Sequence, residues 1–80
     1  MDDTSKTAKQ VAARLRERGH HEHAGRLHAA LTKVGDDLLL ALREACQTIL
    51  TAIEAVDPVS ATMVDELRLE VDKRLHPASP

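Results

Sequence analysis

The chain has 80 residues, 30% of them charged and none aromatic, with a formal net charge of −2 at neutral pH. That length holds one domain at most, and a small one, burying only about 60% of the surface its unfolded form exposes. A single cysteine excludes an internal disulfide, and no apolar run approaches the roughly 20 residues of a bilayer span.

The opening MDDTSKTAKQ lacks the apolar core of a signal peptide, so we expect a cytoplasmic protein. The first predicted helix follows at once. Ala8, Val11, Ala12 and Leu15 fall at i, i+3, i+4 and i+7, one narrow apolar stripe. Thr4 or Ser5 can cap its start, and Gly19 suits the left-handed turn that would stop it. A second segment, about 21–34, repeats the spacing with Ala24, Leu27, Leu31 and Val34. Gly35 then ends or bends it, and Asp36 or Asp37 offers the next N-cap.

The third segment, about 37–56, carries the strongest pattern. Leu39, Leu42, Cys46, Ile49, Ile53 and Val56 keep strict 3-4 spacing. Leu38, Ala41, Ala45, Leu50 and Ala52 widen that seam to roughly half the circumference. A stripe so wide can touch several neighbours, so this helix is expected to be the hub. Asp57 is a good N-cap and Pro58 suits the first turn of a fourth helix. Its stripe is Met63, Val64, Leu67, Val71 and Leu75, ending before Pro77. Residues 1–76 thus read as one helical domain and 77–80 as a disordered tail.

The stretch GHHEHAGRLH, residues 19–28, gathers four histidines. His20 and His23 are three apart and could share a metal ion, but a zinc site needs three or four converging ligands. Outside the cluster only Cys46 and His76 offer thiolate or imidazole. The pattern His-Glu-x-x-His of zinc proteases is absent. The better reading is a helix joint, with His28 at the edge of the apolar stripe and its ring half covered. A pH-responsive junction is an alternative, since histidine changes charge between about pH 5 and 8.

Catalysis has little to work with. Ser5, Ser60 and Ser79 sit in no Gly-rich elbow, and Cys46 occupies an apolar seam position. The stretch Gly35-Asp36-Asp37-Leu38 is similar to the Gly-Ala-Asp-Ser-Leu segment of acyl carrier proteins. Asp37 stands where the serine bearing phosphopantetheine would be, so no prosthetic arm could be attached. The resemblance therefore implies no carrier function. Nucleic-acid binding would rest on Lys6, Lys9, Arg14, Arg16 and Arg18, which spread around their helix with no aromatic residue to stack on a base. A membrane-surface role needs a cationic polar face, which the third helix lacks.

Charge is unevenly divided. Residues 1–34 hold seven Lys/Arg against four Asp/Glu, a net of +3, and residues 35–80 hold four against nine, a net of −5. Nineteen Leu, Ile and Val must build the core without aromatic help, so sharing a core between copies would aid stability.

The expectation is an all-α bundle of three or four short helices around a central helix at about 37–56, completed by oligomerisation. The favoured assembly is a homodimer with third-helix seams, or oppositely charged halves, facing each other. No cofactor is expected. The function expected is a non-enzymatic interaction module: an adaptor, inhibitor or small regulatory subunit. Leu39, Leu42, Cys46, Ile49, Ile53 and Val56 would form the core or interface, with Leu40 and Leu69 as outer contacts. The alternatives are a metal- or pH-responsive regulator using His20 and His23, and a small DNA-associated regulator using the basic first helix.

Overall fold

The structure, a computed structural model, describes residues 3–75. They form four helices and, among the described residues, no strand: α1 (Asp3–Glu17), α2 (His21–Ala30), α3 (Gly35–Ile53) and α4 (Pro58–Leu75). Three or four residues join each pair, and connections so short make successive helices antiparallel neighbours. α1 packs on α2 and α4, and α3 packs on the same two helices, so the four close into a ring with α1 and α3 on a diagonal. The expected tail at 77–80 lies outside the described residues.

The joint after α1 has a defined chemistry. Gly19 takes φ +86°. Its N–H donates to the Arg16 carbonyl, and the His20 N–H reaches back to the Leu15 carbonyl at 2.8 Å. This is the Schellman pair of bonds that satisfies a helix's last carbonyls. An added Cβ at Gly19 would meet nothing within 4 Å, so only the dihedral opposes a side chain there. Gly25, inside α2, is equally uncrowded and has no positive φ. Gly19→Ala is therefore expected to cost about 1 kcal/mol, a fall of about 4–8 °C in Tm. Gly25→Ala is expected to raise Tm by a similar amount, because alanine is the better helix former. Thermal melts followed by circular dichroism check both signs.

The core closes within one chain. Leu15, Leu27, Leu42, Ile49, Ile53, Val64, Leu67 and Val71 are each at most 1% exposed. Burying each such side chain contributes about 2 kcal/mol. The Cα radius of gyration, 11.9 Å, matches the about 11.6 Å expected of a compact single domain of this length. α3 is the hub the periodicity indicates, contributing Leu38, Leu42, Ala45, Cys46, Ile49 and Ile53 to the interior.

Several boundaries differ from expectation. α2 stops at Ala30, not 34: the Thr32 and Lys33 N–H groups turn back to the Ala29 and Ala30 carbonyls, and Val34 is then extended and Gly35 takes φ +62°. Helices α2 and α3 are thus separate, and Val34 is 80% exposed. The N-cap of α3 is Val34, without a side-chain bond, and Asp36 and Asp37 lie in the first turn, where the helix dipole favours carboxylates. α1 already includes Thr4 and Ser5, so neither caps it. α3 ends at Ile53, since the residue before Pro58 disfavours helical backbone. Val56 falls in the following turn, 73% exposed, and is not part of the seam. Leu39 is half-buried while Leu38 and Ala45 are buried, so the seam is rotated toward them. Ala52, expected in the widened seam, is exposed, as is His28.

Candidate functional site

Two features of this surface are candidates for function: a polar tie at one end of the bundle and an open face along α3 and α4.

The tie forms because an up-and-down bundle brings its first and third joints to the same end. Asp57, in the third joint, is 5% exposed and caps α4. Its Oδ1 accepts the Ser60 backbone N–H at 3.2 Å, and its Oδ2 accepts the Ser60 hydroxyl at 2.7 Å. From the first joint, Arg18 Nε donates to Oδ2 at 3.2 Å and His20 Nε2 to the same oxygen at 3.0 Å. An ionised carboxylate only accepts, so the His20 proton must sit on Nε2. The Ser60 hydroxyl first, then His20, the Ser60 N–H and Arg18, hold the Asp57 carboxyl well below the usual carboxylate range, against the opposing effect of burial.

Serine, histidine and aspartate meet here, but not as a hydrolase arranges them. Ser60 is 1% exposed and donates to the carboxylate. The imidazole bonds the same carboxylate oxygen and not the hydroxyl, so it is not placed to take the serine proton as the base of a Ser-His-Asp triad does. Cys46 is equally removed from chemistry: burial pushes its thiol up to about 12. It belongs to the core, where a thiol packs as a small apolar group.

The histidines do not converge. The rings of His20 and His23 lie 6.3 Å apart and tilted by 49°, with His20 Nε2 given to Asp57. His21 and His28 are exposed. Among the described residues no group of three or more His, Cys, Asp or Glu is placed to hold a metal ion, and His76 lies outside them. His23 Nδ1 is enclosed without a hydrogen-bond partner. Burial, and then the Arg26 guanidinium, lower the His23 pKa.

The second feature is the outer face shared by α3 and α4. Arg43 of α3 reaches Asp72 of α4 at 3.6 Å, and Arg68 bonds both Asp65, at 2.9 Å, and Asp72. Leu40 and Gln47 stand one turn on either side of Arg43, so they share its side of α3. Leu69 lies four residues after Asp65 and three before Asp72, on the side of α4 away from the buried Val64, Leu67 and Val71. An open trough of about 810 Å³ runs between the helices, lined among others by Gln47, Thr51, Glu54, Thr62 and Asp65. Leu40 is 50% exposed and Leu69 48%, as their positions outside the stripes predict.

The sequence placed Asp57 and His20 in separate roles, a cap and a corner. The signal that joins them is the parity of the joints, which needs four helices and not three. No helix is long and apolar enough, among the described residues, to cross a membrane. No protein-family model matches the chain, and comparison with curated proteins and with solved structures finds no match to either.

Proposed function

We propose that this chain is a non-enzymatic protein–protein interaction module of the cytoplasm, an adaptor, inhibitor or small regulatory subunit that also associates with itself. The observation that carries the reading is the distribution of leucine. Of eleven leucines, nine are buried or half-buried, and the two exposed ones, Leu40 and Leu69, stand on the outer sides of α3 and α4, two helices that pack against each other. Scattered exposed leucines are ordinary. Two on adjacent helices, in a chain whose core is complete without them, are better explained by a partner that covers them. The tie at Asp57 supports this reading from the other side, since its polar groups hold the scaffold together and leave no nucleophile free.

The test compares the wild-type chain with the double variant Leu40→Asp/Leu69→Asp. Both positions are half in water, so the variant should melt within a few degrees of wild type. Immobilised wild type is expected to retain a defined protein from host extract, and the variant to lose it. Retention of the same protein by both would overturn the assignment of this face.

A further inference from the structure

The uneven charge of the two halves is not spent inside the molecule. Residues 3–34 carry seven Lys/Arg against three Asp/Glu, and residues 35–75 four against nine. Among the described residues the ion pairs between the halves converge on one group, Asp57, from Arg18 and His20. The others stay within one half. Lys6, Lys9 and Arg16 on α1, and Asp36, Asp37 and Glu44 on α3, take part in no ion pair among them, and all six are exposed.

Their spacing is complementary. On the outer side of α1, away from Ala8, Val11 and Leu15, the exposed Ala13 lies one turn from Lys9 and one turn from Arg16. On the outer side of α3, Leu40 lies one turn from Asp36 and one turn from Glu44. One helix offers a small residue between two cations, the other a projecting leucine between two anions. We propose that the occupant of the Leu40 surface is α1 of a second copy of this chain, with Leu40 seated over Ala13 and the flanking charges paired.

The fold fixes the symmetry of that contact. α1 and α3 sit on a diagonal of the ring, so their outer sides face away from each other. One copy cannot offer both to the same neighbour, and the contact is heterologous, joining copies head to tail. This deepens the interaction reading above and rests on it for the Leu40 surface, but it makes a separate demand: the chain must associate with itself.

Sedimentation equilibrium over a wide concentration range tests it with two blocked variants, Ala13→Glu and Leu40→Lys. Wild type is expected to grow beyond the 8.8 kDa chain at low salt and to return toward it near 1 M salt, where the screening length is about 3 Å. Each variant alone should remain at the monomer mass. An equimolar mixture should give a species of twice that mass and no larger, since each variant keeps the face the other lacks. The double variant Lys9→Glu/Arg16→Glu blocks the α1 side a second way, and far-ultraviolet circular dichroism shows that every variant is folded. A wild type that stays monomeric overturns the proposal, as do a variant that still dimerises and a mixture that forms nothing. If the wild type is monomeric while Leu40→Asp/Leu69→Asp still loses its captured protein, self-docking is wrong and the interaction reading stands.

Discussion

Asp57→Ala is expected to lower Tm by about 10 °C, more than any other single change outside the apolar core. The substitution removes the N-cap of α4 and leaves four donors facing an apolar methyl: the Ser60 N–H and hydroxyl, Arg18 Nε and His20 Nε2. Two of these belong to the first joint, so the loss also unties α1 and α2 from α4. Asp57→Asn should fail almost as badly. Three donors converge on Oδ2, and an amide offers one accepting oxygen and a nitrogen that itself donates. The pH dependence follows from the same contacts. The Asp57 pKa is lowered in the fold, so its stabilisation is complete above the usual carboxylate range and drains away as pH falls toward the depressed value. Below neutral pH, His23 works in the same direction. Its pKa is also lowered, but here the folded state favours the neutral base, so stability falls as pH drops below the ordinary histidine range. Urea midpoints from pH 7 down to pH 2 should therefore decline for wild type. The Asp57→Asn chain should start lower and lose less across the acid half of that range. Parallel curves would show that the tie contributes nothing to folding.

What was legible in the sequence is what periodicity governs. The apolar stripes of α1, α3 and α4 named the residues that became core, and Gly19, Asp57 and Pro58 marked two joints correctly, because a left-handed glycine and a capping Asp-Pro are local devices. Periodicity is blind to where a helix stops. Val34 and Val56 both continue a 3-4 pattern, yet each falls in the joint after its helix, beside Gly35 at φ +62° or the Asp57-Pro58 step. At Val56 the pattern runs on into a turn, where the Val56 and Asp57 N–H groups both donate to the Ile53 carbonyl. The candidate surface was visible as two leucines off their stripes, but that α3 and α4 are neighbours, and that α1 and α3 are diagonal, required the packing. His20 was drawn into a metal reading by its neighbours in sequence, and its actual partner lies 37 residues away.

Ile49→Ala is the sharper test of which residues hold the molecule together, and its natural control is Val56→Ala, because both belong to one unbroken 3-4 series. Ile49 is fully enclosed. Its truncation should leave a cavity costing about 2–5 kcal/mol. A chain of this length has about 4–12 kcal/mol of stability in all, so the expected fall in Tm, about 10–30 °C, leaves the variant partly unfolded at physiological temperature. Val56 is 73% exposed in a turn, and its truncation should change stability by less than about 0.5 kcal/mol. Urea unfolding of the two variants separates a seam that ends at Ile53 from one that runs to Val56. If Val56→Ala proved as costly as Ile49→Ala, α3 would have to continue past Ile53. Asp57 could not then cap α4, and the tie between the joints would have no acceptor in place.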